Sequence, residues 1–246
     1  MTVGLSAGQV PDKPSPWPRR ILRLGLIWAA ILVVLMGAQR GASPEDRTTA
    51  LSIALSGLYT VLLYRTRRRW LPRLASHPLR NAMILGSVNA AIIETVFLVV
   101  EKLMGVQGVA ASPNLIVDLL LTMPWYIGMV ILFVKVQHRR RFAPSIVLLL
   151  GGVYEIGADG LVGGGFSGEL ITPAALVLFP LVFLWLFIPV YSSMVLPPAW
   201  LVETIPPAPT PSTPAWRDAV RPLLWLAPFV VYLVLFLVVA GAMSAI

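Results

Sequence analysis

The chain contains no cysteine and only two histidines in 246 residues. Disulfides, thiol nucleophiles and cysteine-ligated metals are therefore excluded. The histidines, His77 and His138, both fall in basic loops, so no zinc motif can be assembled and neither a metal nor a cofactor is expected. Acidic residues are scarce too, 11 against 19 basic ones, and charged residues make up 12% of the chain. A soluble domain carries about twice that fraction. What is present instead is apolar: 57% of residues are hydrophobic and the mean hydropathy is +0.82. These numbers describe an integral membrane protein, with the size of a single membrane domain. The host membrane, bacterial plasma membrane or endoplasmic reticulum, is not written in the sequence.

Apolar runs long enough to cross a bilayer, roughly 17–25 residues each, occur near 21–39, 48–64, 81–101, 114–136, 143–162, 171–195 and 220–243. The expected fold is an all-α polytopic bundle of seven transmembrane helices. Residues 1–19 read as a disordered Pro/Gly/Ser-rich tail, and 20–47 as a first helix with its outer loop. Residues 48–198 read as the main bundle, 199–218 as a Pro-rich cytoplasmic linker and 219–246 as a last helix. The first run is too long in its apolar part, and GAQRGAS too poor a cleavage site, for a signal peptide. All of the 19 basic residues except Arg40, Arg47 and Lys102 lie on one side of this alternation, which places the N-terminus in the cytoplasm. The net charge of +8 is thus a topology signal first. Contact with membrane lipids is a secondary reading, and nucleic acid is a poor partner. A homodimer is compatible with such a bundle, but nothing in the sequence sets the oligomeric state. No internal repeat is evident, which disfavours an inverted-repeat transporter. The last helix has no lysine for a retinal Schiff base.

Against this background the carboxylates stand out. Glu94, Glu101, Asp118, Glu155 and Asp159 lie within or at the ends of apolar runs. At about 1.5 Å rise per residue, Glu94 and Glu155 fall just past the midplane, with Asp118 and Asp159 about one turn further out. Glu101, beside Lys102, reads as a solvated end residue. Ionisable groups in hydrocarbon are costly and by default functional; the bland alternative is a protonated, hydrogen-bonded packing element. Neighbouring carboxyls in such a setting cannot all ionise, which yields a proton donor beside a base. Polar faces at helical spacing accompany the acids: Ser52, Ser56, Thr60 and Tyr64 on the second helix, Asn114, Asp118, Thr122 and Trp125 on the fourth, Gly151, Glu155, Asp159 and Gly163 on the fifth. They suggest that helices 2–5 surround a polar pocket, while the first and last helices are peripheral. Trp125 and Tyr126 beside Pro124 read more simply as a kinked helix than as a ligand wall. Three functions fit: an enzyme moving protons on a lipophilic substrate, a proton- or cation-coupled carrier, or a binding protein with a satisfied polar core.

Several local patterns are ordered in a way that resembles the emopamil-binding protein family, which shares the EXPERA membrane domain and includes the sterol Δ8–Δ7 isomerase. NAAIIETVFLVVEKLMG carries Glu94, Phe97 and Gly105. VQHRRRFAPSIVLLLGGVY carries Gln137, His138, Arg141, Phe142, Gly151 and Tyr154 in step, and GELITP leads into LVFLWLFIPV. The resemblance covers roughly 48–198, an EXPERA-like core of helices 2–6. It implies protonation of a ring double bond, a carbocation and deprotonation of a neighbouring carbon. Glu94 corresponds to the family's glutamate, Trp185 to its cation-facing tryptophan, and Asp118 lies near the second catalytic glutamate. The family histidine falls on Ala90, beside Asn89, and the Asp-Ser-Arg-Tyr segment is replaced by VQGVAASPN. Glu155 is an extra acid that could take the histidine's place. The expected catalytic residues are therefore Glu94, Asp118 and Glu155. The expected substrate contacts are Trp185, Asp159, Asn89, Thr122, Trp125 and Tyr154.

Overall fold

The computed structural model describes residues 17–158, 173–209 and 212–244. Among them every regular element is helical, and none of the described residues is in a strand. The elements are α1 (Trp17–Ala38), α2 (Pro44–Leu74), α3 (Pro78–Met104), α4 (Leu115–Arg140), α5 (Pro144–Glu155), α6 (Pro173–Val202), α7 (Ala215–Ala219), a 3₁₀ turn (Arg221–Trp225) and α8 (Leu226–Ser244). Proline opens α2, α3 and α5 at positions where a missing N–H costs nothing. Ser43 and Asp46 form a capping box on α2, and Asn114 caps α4 by accepting from the amides of Ile116 and Val117. Gly105 closes α3 in the left-handed conformation (φ 69°), as helix C-termini favour.

Five helices are long and apolar enough to cross a membrane: the segments Arg20–Ala38, Pro78–Met104, Leu115–Arg140, Val182–Val202 and Arg221–Ala240. This is consistent with an integral membrane protein. Two expected spans differ. α2 is longer than its apolar run and carries both a Ser/Thr stripe and the arginines from Arg65 to Arg73, which dilute its hydropathy. The fifth helix is short: α5 ends at Glu155 and passes into a π-type turn over 156–158.

α6 packs against α1 to α5 and is the most buried of the five spans. It is apolar on every side, as a helix surrounded by others must be. The pocket expected among helices 2–5 is therefore occupied by α6. The Thr60 hydroxyl of α2 meets that of Ser192 at 2.6 Å, and α5 approaches closely because Gly151 and Gly152 face Tyr191, Val195, Leu184 and Ile188. α1 and α8 are the least buried spans, in line with the peripheral positions expected for them.

Proline inside a helix removes one N–H and orphans the carbonyl four residues earlier. Pro124 leaves Leu120 without an intrahelical donor, and the Tyr232 hydroxyl of α8 donates to the Leu120 carbonyl at 2.7 Å. Trp225 Nε1 donates to the Pro124 carbonyl at 2.8 Å. It can do so only because residue 128 is glycine, where an added Cβ would fall 1.9 Å from the indole nitrogen. The sequence kink at Pro124 is thus a docking point for α8. Tyr232→Phe is expected to lower stability by about 0.5–1.5 kcal/mol, the net worth of one hydrogen bond, read as a drop in the detergent-solubilised protein's Tm.

At the basic end of the bundle, residues 203–209 and 212–220 form a strap over the helix termini. Arg141, in a left-handed conformation at the end of α4 (φ 51°), donates to the carbonyls of Val202 and, at 2.5 Å, Ile205. A cation there also complements the negative end of α6. Arg140 donates to the Thr213 carbonyl and to Asp218 Oδ2, the latter from Nε at 2.6 Å. The segment read as a Pro-rich linker is therefore clamped to the bundle by two arginines.

Candidate functional site

Three antiparallel helices expected to carry acids at matching depth do bring two of them together. Glu94 of α3 and Asp118 of α4 lie within hydrogen-bonding reach of each other. Asp118 is fully buried (0% exposed). Its Oδ1 accepts from the Ser112 amide at 3.1 Å, with the Ala111 amide also turned toward the carboxyl. No N–H or hydroxyl of the described residues reaches Oδ2. Two facing carboxyls are both acceptors when ionised, so a proton shared between Asp118 and Glu94 satisfies the pair. Glu94 is half-buried, and the Tyr126 hydroxyl donates to its Oε1 at 2.5 Å. One Glu94 oxygen is thereby fixed, and the carboxyl sits on the seam between α3 and α4.

Glu101 is not the solvated end residue that its neighbour Lys102 suggested. It is buried (2% exposed), and its Oε2 accepts from the amides of Val109 and Ala110 at 2.8 and 2.6 Å. The physical reason is the short α3–α4 connection. Residues 106–114 fold back over the helix ends, and the inward-turned amides of Val109, Ala110 and Ser112 need acceptors. Glu101 and Asp118 supply them. The VQGVAASPN segment is thus held on two carboxylates, one of which belongs to the facing pair.

Glu155 is buried on α5 (2% exposed), one turn beyond Gly151, which packs on Tyr191 of α6. The π-type turn at 156–158 begins immediately after it, and such turns recur at functional sites. Of the stretch VYEIGADG, Val153 to Ala158 are described; Asp159 lies outside the described residues. Thr122 is half-buried and returns its hydroxyl to the Asp118 carbonyl at 3.0 Å. Trp125 is buried and donates from Nε1 to the Tyr191 hydroxyl at 3.0 Å, its ring 5.9 Å from Phe229. The Tyr154 hydroxyl donates to the Ala219 carbonyl at 2.8 Å, which ties α5 to the strap.

Asn89 serves the helix interface. Its Oδ1 accepts from the Tyr59 hydroxyl at 2.9 Å, and its Nδ2 donates to the Ser193 carbonyl at 2.6 Å. That carbonyl is the one Pro197 orphans. Asn89→Leu is expected to cost about 1–3 kcal/mol, measured as a lower Tm, and Tyr59→Phe a comparable amount, because it takes the Tyr59 hydroxyl away from the buried Asn89 oxygen.

Trp185 packs its ring against Gly25 of α1, where an added Cβ would fall 1.8 Å from the indole. The aromatic ring on the carboxyl pair is Tyr126, with Tyr191 edge-on to it at 5.7 Å between centroids. Neither tyrosine was legible as a site residue, because an aromatic in an apolar run has no signature separating ligand wall from core. The signal that could have found Tyr126 is its spacing from Asp118. Eight residues, about 2.2 turns, return it to the same face. Compared with family models, curated proteins and solved structures, the chain matches none of them.

Proposed function

We propose that this protein is a membrane-embedded double-bond isomerase acting on a sterol or other polycyclic isoprenoid, built as a seven-span bundle with its N-terminus in the cytoplasm. The observation that carries the reading is the carboxyl pair. A half-buried Glu94 faces the α3–α4 seam, backed by a fully buried Asp118. An acid that can reach a lipophilic molecule, coupled to one that cannot, is a proton donor with a reservoir. The pair's shared proton adds to one alkene carbon, using the π electrons and leaving a cation on its neighbour. The resulting carboxylate removes a proton from the carbon on the far side of the cation. Those C–H electrons form the new double bond, and the pair regains its proton. No oxidant, reductant or metal is consumed. Glu155 is the third proton handler, in place of the histidine that Ala90 lacks, and the EXPERA-like order of motifs supports the same chemistry.

The test is expression in a host that accumulates Δ8-sterols, with the lipids analysed by mass spectrometry. Accumulation of a Δ7 product supports the reading, and folded protein without product rejects this reaction. One observation favours a second reading, a binding protein or carrier for sterols or amphipathic cations. Asp118 and Glu101 both hold the α3–α4 loop, a structural use of the acids. Saturable binding or flux without turnover would identify it.

A further inference from the structure

A groove of about 480 Å³ runs along the outside of the α3–α4 seam, lined by Met83, Ile84, Val88, Met123 and Ile127 among others, with Ser87 in its wall and Arg80 at one end. It ends at Ala91 and Met123, with Ala91 one turn short of Glu94 on α3 and Met123 one turn past Tyr126 on the antiparallel α4. Arg80 to Ala91 is eleven residues of helix, about 16 Å. Half the hydrocarbon thickness of a bilayer is about 15 Å. The groove therefore has the length of one leaflet's acyl chain. Arg80 is exposed and makes no hydrogen bond or ion pair among the described residues, unlike Arg140, Arg141 and Arg221 at the same end.

We propose that this groove is a binding site for an anionic phospholipid, whose phosphate engages Arg80 and whose acyl chain lies along α3 and α4 to a point below Glu94. An apolar channel of leaflet length ending in one uncommitted guanidinium matches both parts of such a lipid. A neutral lipid would fill the channel and leave the cation unanswered. The charge contribution near a membrane surface corresponds to about a fivefold preference for the anionic headgroup.

The experiment is native mass spectrometry of the full chain released from nanodiscs holding equal phosphatidylglycerol and phosphatidylcholine with identical acyl chains. Wild type is expected to retain one phosphatidylglycerol about fivefold more often than phosphatidylcholine. Arg80→Gln should erase that preference, whereas Arg69→Gln, with its cation in the same basic cluster, should keep it. Ala91→Phe, which fills the groove, should lower retention of both lipids, and soluble glycerol phosphate should not bind. Equal loss in Arg69→Gln and Arg80→Gln would mean a diffuse surface charge and overturn the site. So would an unchanged preference in Arg80→Gln, binding of glycerol phosphate alone, or a neutral sterol retained in the groove instead.

Discussion

Glu94→Gln is expected to lower the yield of isomerised sterol by at least about 100-fold, the lower bound for removing a general acid–base group. The substitution is nearly isosteric. Glutamine keeps a carbonyl oxygen for the Tyr126 hydroxyl, which in the native protein donates to Glu94 Oε1 at 2.5 Å. It removes the exchangeable proton that the proposed mechanism draws from the facing pair. Asp118→Asn removes the same proton from the buried side while leaving an oxygen for the Ser112 amide, so it should reduce turnover comparably. Glu101→Gln is the internal control. Its single liganding oxygen, which accepts from Val109 and Ala110, can be replaced by an amide oxygen, and turnover should stay within a few-fold of wild type. Equal losses in all three would mean that the carboxylates act by holding the α3–α4 loop, and the isomerase mechanism would fall. Activity left untouched in Glu155→Gln would remove Glu155 from the chemistry. Product and Tm are measured together, so a folding failure is visible as such.

Which helices carry the acids was readable in the sequence, while rotation about each helix axis was not. Counting residues from the helix ends places Asp118 about one turn further out than Glu94, and the structure brings the two within reach of each other. The direction a residue faces depends on what its helix packs against. α6 shows why this was hidden. A helix apolar on all sides has no face to read, and so its place among the others is invisible. Trp185 could therefore be read as facing the acids, although its ring lies on Gly25. Glu101 was misread for a related reason. A carboxylate next to a lysine at a helix end looks solvated unless the folding of the loop after it is known. The prolines carried more information than was taken from them. Each one inside a helix announces an orphan carbonyl, and Tyr232 and Asn89 are the donors that answer two of these. Pairing each proline with a donor requires the third dimension.

Arg140→Ala is expected to destabilise the bundle by about 3–5 kcal/mol, the range for stripping one partner from a buried ion pair. Asp218 is 1% exposed. Its Oδ2 accepts from Arg140 Nε at 2.6 Å and from the Thr213 hydroxyl at 3.2 Å. Arg221 stands 3.0 Å from Oδ1 as an ion pair, but that oxygen has no aligned hydrogen bond. Arg221 is 40% exposed and screened by solvent, so it cannot stand in for Arg140. Burial pushes the Asp218 carboxyl up, but the hydrogen bonds from Arg140 and Thr213 and the charges of Arg140 and Arg221 outweigh it and hold it below the ordinary value. A carboxyl lowered on folding stabilises the native state fully above its unfolded pKa, about 3.9, and loses that contribution as the pH falls through the folded value. The wild-type strap should therefore hold from neutral pH down to about pH 4 and loosen below it, whereas Arg140→Ala should be loose already at pH 7. Limited proteolysis within 203–214 across this range reads the difference. Asp218→Leu combined with Arg140→Met should recover much of the loss, because no buried charge is then left without a partner. A double variant as weak as Arg140→Ala would mean that Arg140 acts through its bonds to Thr213 instead. The strap leads directly into the turn that seats Trp225 on Pro124, so its loosening should also free α8 from α4.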